Sequence, residues 1–152
     1  MEKNAFYQSL VQQAEGLIAG ERNVVANMAN ISALLFMSLE DINWAGFYLV
    51  DNDDELVLGP FQGNPACIRI PIGKGVCGTA AQLNETQRID DVHQFAGHIA
   101  CDAASNSEIV IPIIKDNKVI AVLDIDSPIY NRFDAEDQAG LEQLIRTFEQ
   151  QL

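Results

Sequence analysis

The sequence predicts an α+β fold in which an antiparallel β-sheet carries two N-terminal helices and one C-terminal helix on one face. Three observations lead to this prediction. Apolar residues recur at helical spacing through the first 40 residues, strand-like apolar runs separated by polar turns follow, and helical spacing returns near residue 134. Helices at both ends of a run of hairpin-connected strands are typical of this class, and 152 residues are enough for one hydrophobic core.

The three long helices are predicted from apolar spacing. In residues 6–18, and again in residues 24–35, apolar side chains recur at the spacing that places them on one face of a helix. The last helix is expected to begin near Asp134, because a carboxylate there can accept hydrogen bonds from the free amides of a first turn. Its apolar face then continues to Phe148.

Five strands are predicted between these helices. They cover residues 43–50, 56–58, 66–70, 108–114 and 119–126. The first is apolar on both faces, as in a central strand, and polar turns after the first and fourth strands predict hairpins. Glycines within residues 73–78 predict a tight loop before a short helix over residues 79–83. Residues 84–107 predict a long functional loop with a little helix.

Composition bounds the class of partner and the compartment. Nine Lys and Arg against 22 Asp and Glu give a net charge of −13, which repels phosphate backbones and anionic lipids, so we expect no nucleic-acid or membrane partner. No apolar run approaches the roughly 20 residues of a membrane span. The N-terminal residues lack the pattern of a signal peptide. Three cysteines without CxxC spacing do not suggest a disulfide framework, so we expect a cytoplasmic protein with thiols available for chemistry.

The cysteines Cys67, Cys77 and Cys101 have two interpretations. They are either small apolar core residues or reactive thiols, and their spacing gives only weak support for a zinc site. Thiol reactivity depends on the thiolate, and the local sequence favours Cys77, because a helix start and Lys74 both stabilise an anion there. Cys101 has the unfavourable neighbour Asp102, but it lies in a run of small and polar residues that can leave its sulfur open to a substrate.

Three carboxylates are expected to meet at one end of the last hairpin. Asp124 and Asp126 lie two residues apart on one strand, so both side chains point to the same face. Counting outward from the turn near residues 116 and 117 places Glu108 at the same end of the partner strand. Buried carboxylates without partners are costly, so the cluster either binds a cationic ligand group or shares protons at raised pKa values. The alternative is a solvated strand end.

The glycine loop at residues 73–78 matches GxGxxG. The chain lacks the βαβ unit of dinucleotide-binding proteins, so a glycine turn that feeds a helix is the favoured interpretation. The backbone amides of such a turn can still bind a carboxylate.

Two histidines and two aromatic residues are further candidates. His93 and His98 fit ordinary surface positions, although His98 can support a Cys101 thiolate if the segment between them is helical. Trp44 and Tyr48 share a strand face and fit either the core or an aromatic wall for a small ligand.

Six motifs taken together cover nearly the whole chain. They are WAGFY at 44–48, LGPFQG at 58–63, ACIRI at 66–70, GKGVCGTAA at 73–81, DAASNSEIV at 102–110 and VLDIDS at 122–127. In these motifs the chain resembles the free methionine-(R)-sulfoxide reductases, a catalytic branch of the GAF domains. Most GAF domains are ligand-binding modules, but three cysteines at these positions with GVCGTAA are specific to the reductase branch. The resemblance implies a single catalytic GAF domain over residues 1–152.

The resemblance also implies roles for the cysteines. Cys101 is the nucleophile, which overrules the local preference for Cys77. Cys67 is the usual resolving thiol, and Cys77 is an alternative or auxiliary one. A sulfenic acid on Cys101 and then an intramolecular disulfide are the expected intermediates, with thioredoxin as the external reductant and with no metal or bound cofactor.

The implied substrate is free L-methionine-(R)-sulfoxide. The residues that match the family's binding residues are Trp44 and Tyr48, for the side chain and methyl group, and the carboxylates Glu108, Asp124 and Asp126. A free amino acid offers an ammonium for carboxylates and a carboxylate for backbone amides, neither of which a residue within a protein chain provides. The alternative is a non-catalytic GAF module that binds a small ligand as a sensor. The apolar faces of the terminal helices fit a homodimer, and the core explains them equally well.

Overall fold

An antiparallel sheet of six strands forms the centre of this computed structural model, which describes residues 2–99, 101 and 103–152. The strands are β1 (Trp44–Asp51), β2 (Glu55–Gly63), β3 (Arg69–Pro71), β4 (Gln87–Ile89), β5 (Ser107–Lys115) and β6 (Lys118–Ser127). Their order in the sheet is β3-β2-β1-β6-β5-β4, and neighbouring strands are antiparallel throughout. The central positions of β1 and β6 follow from their apolar sequences, which suit strands covered on both faces.

Helices cover both faces of this sheet. They are α1 (Lys3–Ile18), α2 (Val24–Ser38), α3 (Gly75–Leu83) and α4 (Ala135–Glu149), and a 3₁₀ turn spans Val92–Gln94. The larger hydrophobic core lies between one face and the terminal helices α1, α2 and α4, with Phe47 and Phe148 at its centre. A smaller core lies between the other face and α3. The predicted α+β class, with three terminal helices on one face, is confirmed.

Among the described residues, no helix combines the length and the hydropathy that crossing a bilayer would require.

Two predicted elements have different bounds in the structure. The helix predicted over residues 79–83 already begins at Gly75, so Gly78 lies within it. A Cβ atom at Gly78 would lie 2.4 Å from the Pro71 carbonyl oxygen, so this glycine serves close packing of a helix and does not form a loop. The strand predicted over residues 56–58 extends to Gly63, because a bulge opposite Phe47 accommodates Pro60, which has no amide hydrogen to donate.

Two short strands also differ from the prediction. The strand expected over residues 66–70 begins only at Arg69, because the Cys67 carbonyl accepts a hydrogen bond from the Tyr48 side chain, not from a neighbouring strand. The loop expected over residues 84–107 contains the additional strand β4. That strand is three residues long at the edge of the sheet, which is too short for an alternating pattern to be recognised.

The buried carboxylate of Asp137 ties α1 to the start of α4. Its oxygens accept hydrogen bonds from the Tyr7 hydroxyl at 2.6 Å and from Lys3 Nζ at 2.7 Å. It also completes a capping box with Asp134, which confirms the predicted start of this helix. Asp137 therefore links two elements that are far apart in the sequence.

We expect Asp137→Ala to lower the free energy of unfolding by about 1–3 kcal/mol, because the substitution leaves the buried Tyr7 hydroxyl without its acceptor. Lys3 keeps its second carboxylate, Asp134, at 2.8 Å. Urea denaturation at neutral pH measures this change. Glu136→Ala is the matched control, since Glu136 is an exposed carboxylate in the same turn. Equal effects of the two substitutions would contradict this account of Asp137.

Candidate active site

A cavity of about 40 Å³ lies on the α3 side of the sheet. Side chains of β1, β5 and β6 line it, together with the start of α3 and the loop residues around positions 65 and 99. Of the predicted site residues, the cavity is lined by Trp44, Tyr48, Cys77, Cys101, Glu108, Asp124 and Asp126. Cys67 is bonded to one of these, Cys101. The structure thus brings together every residue for which the sequence predicts a role in the site.

The three carboxylates are placed by the strand register. Glu108 on β5 lies directly opposite Asp126 on β6, and Asp124 lies opposite Val110. On the other side of β6, Trp44 and Gly46 of β1 face the same two aspartates in register. Since residues two apart on a strand share a face, all three carboxylates reach the cavity. Glu108 and Asp124 are only 8% and 5% exposed, and Asp126 is half-buried.

Burial raises the pKa of two carboxyl groups in this cluster. It raises the pKa of Glu108 well above its usual range, and the charge of Asp124 raises it further. Burial also raises the pKa of Asp124, with the charge of Asp126 as the next cause. One oxygen of Asp124, Oδ1, is buried and makes no hydrogen bond within the described residues. A cationic group that entered the cavity could therefore donate a hydrogen bond to Asp124 Oδ1, to which none of the described residues donates.

A disulfide joins Cys67 and Cys101 at the cavity. Their Cα atoms are 5.4 Å apart, within the range for a bonded pair. Cys67 lies just before β3, and Cys101 lies in the loop between the 3₁₀ turn and β5. The bond therefore connects two loops that are 34 residues apart in sequence. The neighbours Ala100 and Asp102 lie outside the described residues, and the predicted effect of Asp102 on Cys101 lies outside them too.

The structure does not support the local preference for Cys77 as the most reactive thiol. Cys77 lies in the first turn of α3 and not in the predicted loop before it, its side chain is buried, and Lys74 is exposed to solvent. Burial raises the pKa of Cys77 well above its usual value, and the charges of Asp124 and Glu108 raise it further. The helix terminus is thus outweighed by desolvation and by carboxylates that are distant in the sequence.

The two histidines differ in position. His98 lines the cavity, and burial lowers its pKa, with His93 as the second cause. His93 is mostly exposed, and its Nδ1 lies 2.9 Å from an oxygen of Asp91. Of the described residues, His98, Ile99 and Cys101 are not helical, which does not support the helical arrangement that would place His98 beside the sulfur.

The aromatic residues Trp44 and Tyr48 are each 2% exposed and line the cavity, with ring centroids 6.0 Å apart and ring planes inclined by 24°. Their polar atoms bind backbone. Trp44 Nε1 donates to the Asn64 carbonyl at 3.0 Å, and the Tyr48 hydroxyl donates to the Cys67 carbonyl at 2.8 Å. Both interpretations of these residues therefore apply, because they are buried core residues that also form a wall of the cavity.

One group of side chains has the spacing of metal ligands. Among the described residues, Cys77 Sγ and carboxylate oxygens of Glu108 and Asp124 lie within 4.8 Å of one another. The donor set is one thiol and two carboxylates without a histidine, unlike the Cys- and His-rich sets of structural zinc sites. The absence of a metal from the mechanism stays a prediction.

Comparison with known proteins identifies the family. The family model for the GAF domain matches residues 26–150. The chain is also 59% identical over 152 residues to the free methionine-R-sulfoxide reductase of Escherichia coli (strain K12), a match that covers 100% of this chain and 92% of that protein. The chain belongs to the free methionine-R-sulfoxide reductases of the GAF domain family.

Solved structures of this reductase family have the same fold. The fRMsr of Staphylococcus aureus, solved in complex with substrate, has a TM-score of 0.92 at 57% identity, with 96% of this chain and 95% of that chain covered. The free methionine-R-sulfoxide reductase from Neisseria meningitidis, in complex with its substrate, has a TM-score of 0.95 at 44% identity, with 99% and 90% covered. The predicted resemblance is confirmed.

Some cavity residues of this family member were not singled out from the sequence. Pro65, Ala66, Ile99 and Ser105 also line the cavity. Ser105 accepts a hydrogen bond from Asn43 Nδ2 at 3.2 Å, which ties the Cys101 loop to the residue before β1. The run of small residues around Cys101 was a signal for Ser105. Pro65 and Ile99 carry no such signal, because only the tertiary structure brings their loops to the site.

Proposed function

We propose that the chain reduces free L-methionine-(R)-sulfoxide to methionine, and that Cys101 is the nucleophile and Cys67 the resolving thiol. Residues 1–152 act as one catalytic GAF domain in this proposal. The observation that carries it is the disulfide between Cys67 and Cys101 beside a cavity lined by three carboxylates. The similarity to reductases of two organisms, Escherichia coli at 59% identity and Saccharomyces cerevisiae at 46%, supports the choice of substrate.

The two charged ends of a free amino acid have complementary partners at the cavity. The ammonium binds the carboxylates of Glu108, Asp124 and Asp126. Its positive charge favours the ionised forms of Glu108 and Asp124, whose pKa values burial has raised. The substrate carboxylate lies at the N-terminus of α3, where Gly75 and Val76 border the cavity and no side chain caps the helix. A methionine sulfoxide within a protein chain lacks both charges, so it is excluded.

The first chemical step transfers oxygen from the substrate to Cys101. The sulfur of Cys101 attacks the sulfoxide sulfur while a protonated carboxyl group, Glu108 or Asp126, donates a hydrogen bond and then a proton toward the oxygen. The attack forms a bond between the two sulfur atoms, and the protonated oxygen then passes to the Cys101 sulfur. The sulfur–oxygen bond of the substrate and the new sulfur–sulfur bond both break, the electron pair of the latter returns to the methionine sulfur, methionine leaves, and Cys101 becomes a sulfenic acid. The substrate sulfur is reduced by two electrons and the cysteine sulfur is oxidised by two.

The second step closes the disulfide. The Cys67 thiol attacks the sulfenic sulfur, the S–S bond forms, and the hydroxyl group leaves as water with the thiol proton. Cys77 serves as an auxiliary thiol, since it lines the same cavity. Thioredoxin then reduces the disulfide by thiol exchange, which fits a protein of the cytoplasm.

The cavity is small while Cys67 and Cys101 are bonded. A volume of about 40 Å³ admits roughly three water molecules. An amino acid the size of methionine needs more space, so we expect the substrate to bind after the disulfide is reduced.

Coupled NADPH oxidation with thioredoxin and its reductase tests the proposed function. The substrates are free L-methionine-(R)-sulfoxide, its S epimer, and an R sulfoxide blocked at both ends as in a peptide. We expect turnover of the free R epimer alone, because only it combines both charges with the correct side of the sulfur. Equal turnover of the blocked compound would contradict the role given to the charged ends. No turnover of any compound, with dithiothreitol also tried as donor, would favour a ligand-binding GAF module.

A further inference from the structure

The Cys67 segment, residues 64–67, is held by two side chains of β1. Trp44 Nε1 donates to the Asn64 carbonyl at 3.0 Å, and the Tyr48 hydroxyl donates to the Cys67 carbonyl at 2.8 Å. Both donors come from the face of β1 that lines the cavity. The segment that carries the resolving thiol is thus attached at both of its ends to a central strand of the sheet.

The Trp44 anchor is rigid because its ring is closely packed. The indole stacks on Phe61 at 5.1 Å and on Tyr48 at 6.0 Å between ring centroids. Two glycines leave room for it. A Cβ atom at Gly63 would lie 2.6 Å from the indole and one at Gly46 would lie 2.9 Å from it. Gly63 also has a φ of +132°, which permits the chain to turn from β2 into the Cys67 segment.

The backbone ladder resumes only after Cys67. The Leu58 amide donates to the Ile68 carbonyl at 2.9 Å, and the β2–β3 pairing begins with Val57 opposite Arg69. The Cys67 carbonyl accepts from the Tyr48 hydroxyl instead of from a strand partner. Removal of the hydroxyl would therefore release Cys67 while the strand next to it stays paired.

The Tyr48 hydroxyl is a stable donor at working pH. Burial raises the pKa of Tyr48 above its usual value, and the charge of Asp124 raises it further. The phenol therefore keeps its proton, and the hydrogen bond to Cys67 is retained through the pH range in which thiols react.

We propose that Tyr48 is a positioning residue for the resolving thiol, whose hydroxyl holds the Cys67 backbone so that the Cys67 sulfur meets the Cys101 sulfenic acid. This inference rests on the proposed function and adds a second role to the aromatic wall. The hydroxyl acts on disulfide closure, whereas the ring acts on the substrate side chain. The bond formed in the affected step is S–S, and water is the leaving product, as described above.

Competition between disulfide closure and trapping by dimedone measures this role. Reduced protein is oxidised by one equivalent of hydrogen peroxide, which leaves a sulfenic acid and water, in the presence of dimedone, and the disulfide and the dimedone adduct are counted by mass spectrometry. We expect Tyr48→Phe to shift this partition by about five- to tenfold toward the adduct, the effect of one lost hydrogen bond. Tyr130→Phe is the matched control, since Tyr130 is half exposed and lies outside the cavity lining.

A second variant and a second oxidant separate the possible outcomes. Trap yield in Trp44→Phe, which removes the other donor, is expected to rise in the same direction. An unchanged ratio of disulfide to dimedone adduct in both variants would overturn the proposal. This holds even if methionine formation falls in those variants, because a role limited to substrate binding or stability leaves that ratio unaltered. Peroxide replaces the sulfoxide as oxidant here, so the test does not depend on reductase activity. A wild-type chain that makes no methionine would contradict the proposed function but not the role of Tyr48 in disulfide closure.

Discussion

Replacing Cys101 with serine is expected to lower methionine formation by about 10³-fold or more, because a serine hydroxyl is a far weaker nucleophile than a thiolate. The measurement is a single turnover, in which excess reduced protein is mixed with free methionine-(R)-sulfoxide and methionine is counted without added reductant. Single turnover isolates the first chemical step, so neither Cys67 nor thioredoxin affects the result. The expected loss therefore tests Cys101 as the oxygen acceptor and not merely as half of a disulfide.

Cys77→Ser is the matched comparison, since it makes the same atomic change at the remaining cysteine. Cys77 is 4% exposed, and burial together with the nearby carboxylates Asp124 and Glu108 raises its pKa. A thiolate is therefore disfavoured at this position, and the variant is expected to retain most of its first-turnover methionine. Retained activity in Cys101→Ser with loss in Cys77→Ser would reverse the assignment, and would show that the helix terminus outweighs burial.

The fold was predictable where a regular pattern runs for several turns or residues. The terminal helices and the last hairpin have such patterns, and their bounds agree with the structure to within a few residues. The start of α3 was predicted four residues too late, because Gly78 suggests a loop in the sequence. In the structure Gly78 lies within the helix and packs closely against Pro71, a tertiary contact that the local sequence does not show. β4 was missed because three residues at a sheet edge are too few for a period to appear.

The candidate site was predictable in part for the same reason. The meeting of Glu108 with Asp126 follows from strand period and hairpin symmetry alone, and the register agrees. The raised pKa of Cys77 could not be predicted from the local sequence, because it depends on burial and on carboxylates about 30 to 50 positions away in the sequence. The pairing of Cys67 with Cys101 came from the family resemblance and not from spacing. The hydrogen bond from Tyr48 to Cys67 joins a strand to a loop and has no signal in the sequence.

We expect Asp124→Asn to lower kcat/KM for the free sulfoxide by on the order of 10²-fold, because the ammonium loses a charged and buried partner. Steady-state kinetics with the thioredoxin couple measures this loss. The isosteric amide keeps the volume of the side chain, so the loss reflects charge. Asp116→Asn is the control, since Asp116 is exposed in the β5–β6 turn at a φ of +53°, a conformation that asparagine also adopts.

The same substitution is expected to stabilise the folded protein above about pH 5. The pKa of Asp124 is raised by burial and by the charge of Asp126, so the folded state binds more protons than the unfolded state once the pH exceeds the ordinary aspartate pKa. Wild-type stability therefore falls as the pH rises toward the folded-state pKa, whereas the variant has no proton to lose at this position.

Thermal unfolding at pH 4 and pH 8 tests the sign of this effect. The difference between Asp124→Asn and wild type is expected to be small at pH 4, because this pH lies close to the ordinary aspartate pKa and wild-type stability has only begun to fall with pH there. At pH 8 the variant is expected to gain on the order of 1 kcal/mol, or about 2–4 °C in Tm for a chain of this size. A variant that is less stable than wild type at pH 8 would mean that Asp124 is well solvated or well paired in the fold. A gain in stability together with the loss of kcat/KM would instead identify a carboxylate cluster that is kept for binding at the expense of stability.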